Sequence, residues 1–227
     1  MSKSPDNLRR TRLQRLGYDL FRIVARLIGV VVFRLRCEGR QHYPTQGGGL
    51  VCSNHQSFLD PVLVGLTCDR RLNYLARASL FDSQPLRSLI QFLDAIPIDR
   101  DGLGLSGLKE TLRRLRQGEF VLIFPEGTRT GDGSVLPLKP GFCAVARRGR
   151  VPLIPVGIAG AFEAWPRKAK LPRPAPIRIV IGQPITPEEF ETWTDDQLVA
   201  ELEQRIRDCH ARAARDLNVS RYRPSWA

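Results

Sequence analysis

Residues Val51–Leu66 read VCSNHQSFLDPVLVGL. The apolar start, entered through the turn-rich YPTQGGG of residues 43–49, predicts a strand that ends near Asn54. From Ser57 to about Leu66 the spacing predicts a helix. The chain holds three histidines, and one of them, His55, stands with Asp60 where this strand gives way to this helix. A histidine that moves protons needs access, and an acceptor on its second ring nitrogen to fix the tautomer. With Asp60 in the first helical turn, its carboxylate can fold back toward the His55 ring. The same residues allow a plainer reading, in which Asp60-Pro61 caps and opens a helix and His55 is a loop residue. Spacing alone leaves both open.

Outward from this stretch, strand and helix patterns alternate. RCEGR (36–40), GGLVCSN (48–54), LNYLA (72–76), AIPID (95–99), EFVLIFP (119–125), VPLIPVGI (151–158) and PIRIVIG (176–182) predict strands. EFVLIFP is a continuous apolar run, as a central strand buried on both faces requires. Helices are predicted around Leu80 and over residues 57–66, 85–92, 104–117 and 140–148. Thr186 with Glu189 and Thr194 with Gln197 form capping-box patterns, each opening a helix. The last helix places Leu198, Leu202, Ile206, Cys209, Ala213 and Leu217 on one face, with Glu201–Arg205 and Glu203–Arg207 as i,i+4 pairs. The fold class is therefore α/β, a single mixed and mostly parallel sheet flanked by helices.

Residues 7–36 predict one further helix ahead of the sheet. Arg12, Arg15, Asp19, Arg22 and Arg26 fall on one side and Leu13, Leu16, Leu20, Ile23, Val24, Leu27 and Val31 on the other. Such a helix can lie in a lipid interface with its guanidinium groups at anionic headgroups, or pack on the domain as a surface helix. Its apolar run, Leu27–Phe33, is far below the ~20 residues of a spanning helix.

The 35 basic and 23 acidic residues give a net charge of +12, which points to an anionic partner. The basic residues are mostly arginine, suited to bidentate contact with phosphate. No aromatic-rich basic strand or recognition helix supports nucleic acid. Five scattered cysteines without C-x-x-C read as reduced thiols, and with three scattered histidines they argue against a zinc site. WPRKAKLPRPAP, residues 165–176, is an extended basic connector, either a solvated loop or part of a headgroup-binding rim.

Further candidate groups follow predicted strands. FPEGTRTGDGS (124–134) leaves the buried strand where ligands bind in open α/β sheets. It offers Gly127 for an unusual turn, Arg129 as a phosphate-sized fork, and the hydroxyls of Thr128 and Thr130. IPIDRDG (96–102) places Arg100 past another strand, and Lys139 stands beside a predicted helix start. Each of these alone also reads as a solvated turn.

In sequence order, NHQSFLD (54–60), IPIDR (96–100), FPEGTRT (124–130) and VPLIPV (151–156) together resemble the glycerolipid acyltransferase family, whose best-known members are the lysophosphatidate acyltransferases. The likeness covers about residues 20–190. It implies a mixed α/β domain over residues 37–227 and an amphipathic, membrane-associating helical segment over residues 1–36. It also implies an active site on the cytoplasmic face. His55 would be the general base and Asp60 its orienting partner. Arg129 and Arg100 match arginines assigned to the acceptor phosphate, Lys139 is added as a further phosphate-binding cation, and Glu126, Gly127 and Thr128 would line the substrate pocket. The implied reaction moves an acyl group from an acyl carrier protein or coenzyme A thioester to the sn-2 hydroxyl of lysophosphatidate. It uses no cofactor and no metal. Other acceptors, glycerol 3-phosphate or a lyso-ornithine lipid, fit the same motifs. A water-activating hydrolase and a non-enzymatic basic lipid-binding protein are the rival classes. Asp94, where many members carry glycine, and Thr130, where serine is common, depart from the family pattern. Cys52, close to His55 in sequence, raises a covalent route but reads better as a small buried side chain.

Overall fold

Strand β2 (Gly49–Ser53) is buried at every residue, and the pleat sends its side chains alternately to two different cores. Val51 enters one apolar layer, while Leu50 and Cys52 enter the other. The same alternation runs through β5 (Phe120–Ile123), where Phe120 and Leu122 face one way and Val121 and Ile123 the other. A sheet that is apolar on both faces must be covered on both faces. In this computed structural model, which describes residues 12–77, 95–98 and 105–222, helices do so.

The remaining strands are β1 (Arg36–Glu38), β3 (Leu72–Arg77), β4 (Ala95–Ile98), β6 (Leu153–Ala159) and β7 (Arg178–Ile181). They form a seven-stranded sheet in the order β1-β7-β6-β2-β5-β3-β4. Each of the seven falls on a segment whose sequence predicts a strand, with β3 and β6 running one residue past it. From β6 to β4 neighbours run parallel, β7 pairs antiparallel with β6, and β1 runs parallel to β7. The sheet is thus mixed and mostly parallel.

One face carries α2 (Asp60–Thr67), through Leu63 and Val64, and the short turn of helix α5 (Ala161–Ala164). The other carries α3 (Leu105–Arg116), α4 (Gly141–Gly149) and α6 (Asp195–Tyr222). The predicted face of α6, from Leu198 to Leu217, is buried as a row. At Gly157 its backbone comes so close to β6 that a methyl group there would stand 2.2 Å from the His210 nitrogen. Both capping boxes form: Thr194 N–H donates to Gln197 Oε1 (2.8 Å) at the start of α6, and Thr186 N–H donates to Glu189 Oε2 (2.6 Å). The second opens a turn over residues 187–190 rather than a helix. The helices predicted around Leu80 and over 85–92, and Asp94 with them, lie outside the described residues. None of the five cysteines is disulfide-bonded.

One expectation about the first helix, its end, is corrected. α1 spans Arg12–Val31 and does not continue to residue 36. Arg34 takes a left-handed φ of 42°, and the Leu35 N–H folds back to the Gly29 carbonyl (2.9 Å), turning the chain into β1. Two arginines of its basic face bond the domain. Arg22 donates to the carbonyls of Cys68 (2.6 Å) and Asp69 (3.1 Å), and Arg26 reaches the Leu66 carbonyl and the Asp69 carboxylate (both 3.3 Å). These guanidinium groups therefore latch α1 to the carbonyl end of α2, where the helix dipole favours cations. The apolar face points outward: Leu16, Ile23, Val24, Leu27 and Ile28 are exposed, and Leu20 is 62% exposed. No described helix is long and apolar enough to cross a membrane.

Candidate active site

β2 and β5 are parallel neighbours, with Cys52 opposite Ile123. The chain therefore leaves both strands side by side, at the edge where open α/β sheets hold ligands. His55 follows β2, Phe124 follows β5, and their rings stack with centroids 3.9 Å apart. The backbone ties the two turns together, because Thr130 N–H donates to the His55 carbonyl (2.9 Å). Asn54 fastens the first turn to β6 in the same manner. Its side chain donates to the Ile158 carbonyl (2.9 Å) and accepts the Ile158 N–H (2.7 Å).

Asp60 is the first residue of α2, fully buried (0% exposed). Its Oδ2 lies 2.7 Å from His55 Nδ1 and also accepts the N–H groups of Gln56 (2.6 Å) and Ser57 (2.7 Å). One oxygen therefore closes the turn and holds the imidazole. The capping alternative is resolved by this geometry: the carboxylate bonds N–H groups that precede the helix, in a turn wound around the side chain. A carboxylate facing Nδ1 makes that nitrogen the donor and leaves Nε2 with the lone pair. Nε2 makes no hydrogen bond to a described residue, and the side chain is 19% exposed.

Glu126 is 2% exposed, and its Oε1 accepts the His55 N–H (3.0 Å). Burial pushes its pKa from 4.5 up to about 7, against the pull of the His55 and Leu136 N–H groups and with a smaller push from the Asp60 charge. A carboxyl whose pKa rises on folding binds its proton more tightly folded than unfolded, so stability falls as pH climbs from the ordinary value through about 7. Glu126→Gln keeps an acceptor for His55 and removes the charge. The variant's melting temperature minus that of wild type should rise from about pH 5 to about pH 8. A difference that stays constant in thermal melts would show that Glu126 does not titrate in this way.

Gly127 turns the chain at φ 70°, with the Lys139 side chain packed over it. Gly127, Thr128 and Lys139 are exposed, and the Lys139 N–H donates to the Pro125 carbonyl (2.9 Å). Thr130 is buried, its hydroxyl donating to Asp132 Oδ1 (2.8 Å). Arg100 lies outside the described residues. The Arg129 guanidinium stacks 3.4 Å over the ring of Phe58, a residue inside the turn between His55 and Asp60. Such stacking holds the guanidinium flat against an aromatic face.

The sequence reading missed the residues that position these groups. Phe58 and Phe124 are aromatic residues in loops flanking charged ones, and that pattern was the available signal. Gln56 carried none. Its amide donates to the Gly133 carbonyl (2.6 Å) and sits 3.3 Å from His210 Nε2 on α6, far away in sequence. Cys52, proposed as buried, packs in the core with its thiol pKa raised well above normal by burial.

The imidazole–carboxylate pair thus stands at the ends of parallel strands, beside an arginine on an aromatic shelf, an arrangement chemically able to move a proton. The chain belongs to the acyltransferase family, whose model matches residues 34–159. A 1-acyl-sn-glycerol-3-phosphate acyltransferase of Bacillus subtilis (strain 168) is 29% identical over 179 residues, covering 77% of this chain and 87% of the relative. One from Limnanthes alba is 29% identical over 215 residues, covering 93% and 72%. The crystal structure of the 1-acyl-sn-glycerophosphate acyltransferase from Thermotoga maritima shares the fold, with a TM-score of 0.75 at 23% identity over 96% of this chain and 86% of that one.

Proposed function

We propose that the protein transfers a fatty acyl group from an acyl carrier protein or coenzyme A thioester to the sn-2 hydroxyl of lysophosphatidate, forming phosphatidate. The observation that carries this reading is the 2.7 Å contact of His55 Nδ1 with the buried Asp60 carboxylate, which leaves Nε2 to take a proton. An alcohol is a poor nucleophile at neutral pH, and a placed base is worth ~10²–10⁴ in rate. His55 Nε2 accepts the hydroxyl proton as the oxygen attacks the thioester carbonyl. The new C–O bond forms, the C–S bond breaks, and the thiolate leaves with the proton returned from the imidazolium. Asp60 steadies the imidazolium while it exists. Arg129, with Arg100 and Lys139, binds the acceptor phosphate, and Gly127 and Thr128 border it. The reaction calls on no metal and no cofactor beyond the thioester.

The outward apolar face of α1 supports a membrane-associated enzyme. A helix that presents Leu16, Leu20, Ile23, Leu27 and Val31 outward gains ~25 cal/mol for each Å² of that surface taken from water. Burying this face places residues 1–36 in the interface, and the acyltransferase domain, residues 37–227, at the cytoplasmic surface where a single-chain lipid acceptor resides. The likeness to 1-acyl-sn-glycerol-3-phosphate acyltransferases and the arginine on Phe58 favour lysophosphatidate over a phosphate-free acceptor.

The test is a panel of labelled acyl carrier protein and coenzyme A thioesters against lysophosphatidate, glycerol 3-phosphate and lyso-ornithine lipid. Lysophosphatidate is expected to be acylated fastest, and Arg129→Ala to raise its KM about tenfold or more, the scale of losing a charge-assisted hydrogen bond. Faster acylation of lyso-ornithine lipid, or an unchanged KM in that variant, would overturn the assignment of the acceptor.

A further inference from the structure

The connector Trp165–Pro176 carries Arg167, Lys168, Lys170 and Arg173 and no acidic residue. It is a tied loop. Trp165 Nε1–H donates to the Ala169 carbonyl (3.0 Å), and Ala169 N–H donates to the Pro166 carbonyl (3.0 Å). Arg173 closes the base, its N–H donating to the Ala164 carbonyl (2.8 Å) and its Nε–H to the Glu163 carbonyl (2.6 Å). Four prolines stiffen the rest. What the loop holds out is Leu171, 79% exposed, with exposed Arg167, Lys168 and Lys170 beside it.

Both ends of the loop are fixed to places that matter. At the start, the Trp165 carbonyl accepts the Ser57 hydroxyl (2.9 Å), and its ring packs 5.5 Å from Phe58, the shelf under Arg129. Past its end, Ile177 N–H donates to the Phe33 carbonyl (2.9 Å), and Arg178 donates to the Arg34 carbonyl (2.8 Å), just beyond α1. The loop thus bridges the catalytic turn and the end of the outward apolar helix. Meanwhile Arg22 and Arg26 of α1 are bonded to carbonyl oxygens of the domain.

We infer that the connector is the anionic-lipid contact of this protein, with Lys168 and Lys170 at phosphate headgroups and Leu171 between them. This rests on the membrane seating proposed above. α1 supplies apolar contact with any bilayer, while selectivity for negative charge resides in the connector. An apolar tip ringed by cations matches the chemistry of a lipid interface. The bridge to Phe58 would then hold Arg129 at headgroup depth, where an acceptor phosphate lies.

The test is co-sedimentation with phosphatidylcholine vesicles, with and without phosphatidylglycerol. Wild type should bind both, and the charged vesicles more tightly. Lys168→Glu/Lys170→Glu should lose at least about 25-fold on the charged vesicles, roughly fivefold for each cation removed and more for the added repulsion, and little on the neutral ones. Lys168→Arg/Lys170→Arg should behave as wild type. Both lysines are exposed, so the variants should melt as wild type does. Leu20→Asp/Leu27→Asp should release the protein from both kinds of vesicle; if it does not, the seating on α1 fails separately. An anionic preference that survives Lys168→Glu/Lys170→Glu, or is missing in wild type, overturns the inference. So does a variant that sediments normally but turns over slowly with acyl carrier protein thioesters alone, because the loop would then serve an acidic protein donor.

Discussion

His55→Ala should fold as wild type does and lose ~10²–10⁴ in turnover, the contribution of a placed general base. The ring is held at one nitrogen by Asp60 (2.7 Å) and on one face by Phe124, centroids 3.9 Å apart. Its removal leaves the backbone bonds of the turn intact, because the His55 N–H and carbonyl, not the ring, bond Glu126 and Thr130. The acceptor site survives too, so KM for the acceptor should change far less than kcat. Single-turnover assays against labelled thioester separate the two. Wild-type turnover in this variant would remove the imidazole from the chemistry.

Asp60→Asn is the sharper experiment. The amide oxygen can take the place of Oδ2 and keep the N–H groups of Gln56 and Ser57, along with the Nδ1–H of His55. The opposite orientation would set an NH₂ group against three donors, so the oxygen-inward rotamer wins. The other position of the amide, where Asp60 Oδ1 is buried without a hydrogen-bond partner, then holds an unsatisfied NH₂ at a cost of ~1–3 kcal/mol. Tautomer and turn are preserved and the negative charge is lost, so imidazolium formation goes uncompensated. A fall in kcat on the order of 10²-fold or more is expected, with a lowered but cooperative melt. An active Asn variant would mean that orientation alone is what Asp60 provides.

Much of this was legible in the sequence. Six of the seven strands, all but Arg36–Glu38, lie in short, largely apolar runs bounded by Gly, Pro and polar residues, a signal that depends on local composition and survives without knowledge of neighbours. The five-residue offset of His55 and Asp60 was also local, and a motif pattern chose between two readings that spacing could not separate. The orientation of α1 was not legible. A helical period separates an apolar from a basic face, but which face turns inward depends on what waits opposite. Here that is the carbonyl end of α2, some forty residues away, which recruits Arg22 and Arg26. Glu126 reads as a pocket carboxylate in sequence because its partner is a backbone N–H, and backbone groups leave no mark on residue identity. The pairing of Phe58 with Arg129 and that of Gln56 with His210 join residues from separate segments, so neither exists until the sheet has brought the turns together.

The outward apolar side of α1 leaves one layer of the molecule unfinished in water. Whatever greasy phase covers it binds the native state and not the unfolded chain in that geometry, so by mass action it raises the free energy of unfolding. With α1 seated on a bilayer as proposed, conformational stability and membrane residence would be linked. A mutation that loosens the latch of Arg22 and Arg26 would register both as an easier melt and as a catalyst adrift from its supply of substrate.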